Sequence, residues 1–199
     1  PVVIVDLSVD TKLDKQNITV RELITRVVEY AISRKEQGDF AVIIVVEEAQ
    51  YLAPERGSPV VGDPYGSGVA SALTEAISQA GGYNVGFVIV TQRPAYVSKS
   101  VISQCNTVAC FRLKSGNDQD AIVQYTEYGG RYLKKYLPGL SDHQAIVWGI
   151  ALPTRFPVIT DTFVDLYPAK ASLPAGEAWR RMAEVEREAR VMEEESVRT

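Results

Sequence analysis

Residues 40–54 read FAVIIVVEEAQYLAP, and the position of the two carboxylates within that stretch decides how the chain folds. Residues 40–46 are apolar without alternation, the pattern of a strand in a parallel sheet whose two faces are both covered. Glu47 and Glu48 then fall at its carboxyl end, the rim where such sheets bind ligands. Burying either carboxylate is costly unless something cationic compensates it. One compensating arrangement is a Mg2+ ion held through water by Glu47, with Glu48 positioning and deprotonating an attacking water. The other reading is that both glutamates cap the turn Ala49-Gln50-Tyr51-Leu52.

Outward from this strand, helices and strands alternate. Residues 2–7 form a short β-branched run, read as a buried strand. Thr19-Val20-Arg21-Glu22 makes a capping box, which predicts a helix start there, with apolar positions at Val20, Leu23, Ile24, Val27, Val28 and Ala31 facing a sheet. Residues 54–68, rich in Gly and Pro, predict an exposed loop. A helix follows with Val69, Ala72, Leu73, Ala76, Ile77 and Ala80 on one face, and Gly81-Gly82 ends it. Residues 86–91 predict the next buried strand, 98–104 a short helix and 107–113 a further strand. The β-α alternation implies a mostly parallel sheet with helices on both faces. Residues 144–150 and 156–160 predict a closing hairpin at the sheet edge. The chain then divides into a core, 1–166, and a charge-dense C-terminal helical arm, 167–199.

The strand at 86–91 runs into Thr91-Gln92-Arg93-Pro94. A parallel neighbour delivers Gln92 beside the two glutamates, within reach of an attacking water or a γ-phosphate oxygen. Arg93 could stabilise phosphoryl charge or simply pair with a surface carboxylate.

Composition bounds the rest. The chain has 199 residues, 46% of them hydrophobic and 23% charged, with a formal net charge of -4. That is the make-up of one globular domain, and any nucleic-acid contact must come from local loops rather than a global basic field. No apolar run is long enough to cross a bilayer, so no membrane role is expected. Cys105 and Cys110 form neither a zinc motif nor a disulfide framework, which fits a cytoplasmic setting. His143 reads as a turn residue. The chain opens on Pro1 directly into an apolar run, which predicts a piece of a longer protein.

Taken together, VIIVVEEAQYLAP at 42–54 resembles the Walker B segment of the HerA and FtsK group of P-loop ATPases, and VIVTQRP at 88–94 resembles their sensor strand. PVVIVDLS at 1–8 is similar to their preceding strand, and QAIVWGIALPTRFPVIT at 144–160 to their edge hairpin. The resemblance covers roughly four-fifths of the chain. It implies a RecA-like P-loop NTPase core fragment from a homo-hexameric motor that binds ATP and Mg2+ and translocates double-stranded DNA. For HerA it also implies a NurA-type nuclease as partner in DNA end resection. By this resemblance Glu47 takes the metal position, Glu48 the catalytic glutamate and Gln92 the sensor glutamine.

Three departures are visible. No GxxxxGK[ST] phosphate cradle occurs in these residues, so the 199-residue piece is expected to be inactive alone, the cradle preceding Pro1. Glu47 stands where the family usually has Asp. Gly81-Gly82 stands where an Arg-Lys pair is usual, leaving Arg93, Arg112 or Arg131 to face the phosphates. A non-hydrolysing structural or regulatory subunit and a conjugation or secretion ATPase are the alternative readings. Arg56, the basic residue of the 54–68 loop, is the DNA-contact candidate, since six copies around a ring would multiply one phosphate contact.

Overall fold

The computed structural model describes residues 2–7, 12–59, 65, 66, 68–125, 127, 130–162, 176, 177, 179–184 and 187. Two compact units divide the chain, Pro1–Thr162 and Phe163–Thr199. In the second, the described residues are helical, with Trp179 and Met182 exposed. The rest of the expected arm, and its boundary at 166, lie outside the described residues.

The first unit is a mixed α/β fold. Its elements are α1 (Leu13–Ser33), β1 (Val42–Val46), α2 (Val69–Ala80), β2 (Val85–Ile89), α3 (Lys99–Ile102), β3 (Thr107–Cys110), α4 (Gly116–Tyr125), β4 (Gln144–Gly149) and β5 (Val158–Asp161). Strands β1 and β2 pair in parallel, from Val42 opposite Val85 to Val46 opposite Ile89. Strands β3, β4 and β5 form a second, antiparallel sheet. No described helix is long and apolar enough to cross a membrane.

Alternation along β1 and β2 decides which face is covered. Val42, Ile44 and Val46 on β1, with Val85, Phe87 and Ile89 on β2, pack against Val20, Ile24 and Ala31 of α1 and Val69, Leu73, Ala76 and Ala80 of α2. Burying a side chain such as Leu73, with none of its surface exposed, contributes about 2 kcal/mol. Ile43, Val45 and Val88 point the other way and are 70%, 57% and 46% exposed. Among the described residues helices cover one face of this strand pair, and the other face presents apolar side chains. The unbroken apolar run carries surface for two layers, and the described helices supply one.

Two strand assignments also change. Residues 2–7 join no ladder among the described residues, and Val2, Val3 and Ile4 are more than four-fifths exposed, at 91%, 82% and 86%. Strand β3 ends at Cys110 and runs antiparallel to β4, so it does not continue the parallel series. The hairpin β4–β5, expected from the sequence, takes up the edge of β3.

Helix α1 starts at Leu13, before the capping box. Asp14 in its first turn suits the helix dipole, and Glu22 instead pairs with Arg26 one turn ahead, at 2.6 Å. Arg131–Lys135 and Leu137–Gly139 form two short 3-10 segments. Beneath them, Leu137, Ile146, Trp148, Val123 and Cys110 make a second core.

Glycine is required where β4 leaves the second sheet. Gly149 has φ +121, and a Cβ there would stand 2.2 Å from the Asn106 carbonyl oxygen. The backbone of residue 106 approaches that closely because Ile150 N donates to Asn106 O at 3.0 Å. Gly81-Gly82 ends α2 as expected, as part of a 3-10 turn that leads to Asn84 in a left-handed conformation.

Candidate active site

Parallel pairing of β1 and β2 sends both chains out of the sheet on the same side. The ladder continues one step past the strands, with Val90 N donating to Val46 O at 2.9 Å and Ala49 N to Val90 O at 3.0 Å. Glu47-Glu48 and Thr91-Gln92 are thereby brought to one rim. Glu48 leaves the strand in the left-handed region, with φ 49 and ψ 46, and opens the 3-10 turn Ala49–Tyr51. A non-glycine residue there costs about 1–3 kcal/mol, a strain typical of functional turns.

This turn is fixed by a closed set of hydrogen bonds. Gln92 Nε2 donates to Glu48 Oε1 at 3.0 Å, and Gln50 Nε2 donates to Glu48 Oε2 at 2.5 Å. Thr91 Oγ1 donates to Gln50 Oε1 at 2.5 Å and accepts from Arg93 N at 3.0 Å. Each oxygen of Glu48 thus receives one amide proton, and a carboxylate has about four acceptor sites. Acceptor capacity remains for a water proton. Glu48 is half-buried, Gln50 buried, and Glu47 and Gln92 exposed.

Gln50 and Thr91 were not singled out in the sequence reading, although both lie within the EEAQ and TQRP stretches. The available signal was a glutamine two residues after a strand-terminal acid. Asp118 was missed as well. It is 2% exposed, accepts from Ala95 N at 3.0 Å and pairs with Arg93 Nε at 3.2 Å.

The arginine candidates lie in two places. Arg93 follows Gln92 in the same turn, paired to Asp118 and stacked on Tyr96 at 4.4 Å from the ring centroid. Arg112 follows β3 and pairs with Asp142 at 2.5 Å on the surface of the second sheet. Arg56 is exposed over Tyr65, at 5.9 Å from its ring, and lines a cleft of about 580 Å3 with Lys99, Ser71 and Thr74. Residues 60–64 and 67 of its loop lie outside the described residues. Glu55 ties the start of that loop to α3 by accepting from Lys99 N at 2.9 Å.

No group of three or more His, Cys, Asp or Glu side chains that could hold a metal occurs among the described residues. Mg2+ needs no such cage, because it keeps several waters and binds through one or two carboxylates together with substrate phosphates. An exposed Glu47 beside Glu48 fits that partial donor set.

His143 lies in a turn with φ 66. Burial pushes the Cys110 thiol up to about 12 and that of Cys105 upward, so both behave as small apolar residues.

No family model matches the chain. It is 27% identical over 114 residues to the DNA double-strand break repair helicase HerA of Pyrococcus furiosus, covering 57% of this chain and 19% of that protein. It is 30% identical over 132 residues to a probable HerA of Methanocaldococcus jannaschii, covering 65% of this chain and 24% of that protein. The chain therefore spans about a fifth to a quarter of the length of these curated relatives. In structure it is similar to the genome-packaging NTPase B204 of Sulfolobus turreted icosahedral virus 2, solved with ATPγS. That match has a TM-score of 0.52 at 14% identity, over 71% of this chain and 62% of that one. Its sequence relatives thus include HerA helicases, and its fold is similar to that of the packaging NTPase.

Proposed function

We propose that the rim at Glu48 and Gln92 is the hydrolytic edge of an ATP-driven motor of the HerA type, acting on double-stranded DNA. The observation that carries this reading is the 3.0 Å bond from Gln92 Nε2 to Glu48 Oε1 across parallel neighbours. In an α/β sheet that rim is where a ligand sits.

Each residue has a distinct task. Glu48 takes the proton of an attacking water on an oxygen lone pair left free, with Gln50 and Gln92 each fixing one carboxylate oxygen. Gln92 orients the water or a γ-phosphate oxygen, the positioning on which phosphoryl transfer chiefly depends. Glu47 would hold Mg2+ through water, and the ion, when bound, would neutralise charge at the phosphates. Arg93, adjacent to Gln92, is the nearer arginine for phosphoryl charge, and Arg112 the more remote one. The phosphate cradle is contributed by residues of the longer protein outside these 199.

Duplex DNA would be met by Arg56 and its loop, in a homo-hexamer that repeats the contact six times, with a NurA-type nuclease as the partner for end resection. Relatedness to HerA helicases supports the DNA reading. The test is ATP hydrolysis by the full-length protein, with and without duplex DNA, alongside its sedimentation. DNA-stimulated hydrolysis by a ring-sized assembly is expected. Absence of hydrolysis in an assembled, ATP-binding protein would favour a non-hydrolysing subunit.

A further inference from the structure

We infer that Asp118 is a positioning residue for this rim, an inference that rests on the hydrolytic reading of Glu48 and Gln92. Asp118 lies in the first turn of α4, where an acidic side chain usually satisfies free amides of its own helix. Here its two oxygens go elsewhere. Oδ1 accepts from Ala95 N at 3.0 Å and Oδ2 from Arg93 Nε at 3.2 Å. Both donors belong to the turn that carries Gln92.

Asp118 is 2% exposed, and burying a carboxylate is costly unless its oxygens are hydrogen-bonded. The turn at 93–95 is therefore held wherever Asp118 stands. From Arg93 the constraint runs on through its own N–H to Thr91 Oγ1, from Thr91 to Gln50, and from Gln50 to Glu48. Gln92 lies between the two anchored residues, Thr91 and Arg93, with its amide on Glu48. Helix α4 also carries Val123 into the core beneath the second sheet. Through its two hydrogen bonds Asp118 thus links the helix packed beneath that sheet to the hydrolytic rim.

A carboxylate that merely stabilised the fold would lower thermal stability and leave turnover of the folded enzyme near normal. A positioning residue lowers kcat and leaves KM for ATP almost unchanged, because a misplaced water costs the chemical step rather than binding. The experiment compares Asp118→Asn, which is isosteric, with Arg93→Gln, which breaks the same pair from its half-exposed side, and with the double variant. It is run in the full-length protein, reading kcat, KM and deuterium exchange of residues 90–97.

Asp118→Asn should lower kcat about 10-fold or more, with KM within about threefold and faster exchange in 90–97. The double variant should be within about twofold of the worse single variant, since both remove one constraint. A folded Asp118→Asn protein with kcat within about twofold of wild type, or with unchanged exchange in 90–97, overturns the inference. If that variant does not fold, exchange in 90–97 is read from Arg93→Gln, where faster exchange is expected and unchanged exchange overturns the inference. A wild-type protein without ATP hydrolysis would instead count against the proposed function, and exchange in 90–97 would then decide whether Asp118 holds the turn.

Discussion

Gln92 donates its side-chain amide to Glu48 across 3.0 Å, from residues 44 positions apart that the parallel pairing of β1 and β2 brings to one rim. The bond ties an exposed glutamine to a carboxylate already fixed by Gln50. It gives the glutamine an orientation before any ligand arrives.

Replacing Gln92 by Ala removes that orientation without touching a packed side chain, since Gln92 is exposed. In the full-length protein kcat should fall about 100-fold, with thermal stability within about 0.5 kcal/mol of wild type. Steady-state kinetics with a thermal melt checks both, and unchanged kcat would remove Gln92 from the site.

Gly149→Ala tests the close approach that seats the second sheet. Its Cβ would lie 2.2 Å from a backbone oxygen, at a φ of +121 that side chains rarely adopt. The expected loss is about 3 kcal/mol, read as a lower urea midpoint at unchanged slope. A midpoint like that of wild type would mean that β4 leaves the sheet differently.

Burial disfavours the thiolate at Cys110, raising its pKa to about 12. At pH 8 only about one molecule in ten thousand carries the reactive anion. The native protein should therefore leave Cys110 unlabelled by a thiol reagent at pH 8, and denaturant should expose it. Rapid native labelling would show that the second core opens.

Much of the site was legible because it depends on strand ends. EEAQ and TQRP each follow an apolar run, and a parallel pairing suffices to bring Glu48 and Gln92 together. Asp118 was not legible, because its partners are 23 and 25 residues away and nothing in the local pattern of α4 marks it. The fold was read well where periodicity governs it, at α2, β1, β2 and the β4–β5 hairpin. It was misread where a neighbour decides the outcome. Residues 2–7 have strand composition but join no ladder among the described residues, and β3 takes its direction from β4. At α1, favourable residues before Thr19 extend the helix past the box that signalled its start.

The most direct measurement of the hydrolytic assignment is ATP binding and turnover by Glu48→Gln in the full-length protein. The amide keeps the shape of the side chain and removes the base. Affinity for ATP is expected within about threefold of wild type, with turnover reduced at least about 100-fold. Turnover equal to wild type at unchanged affinity would contradict the role given to Glu48, and with it the reading of the whole rim.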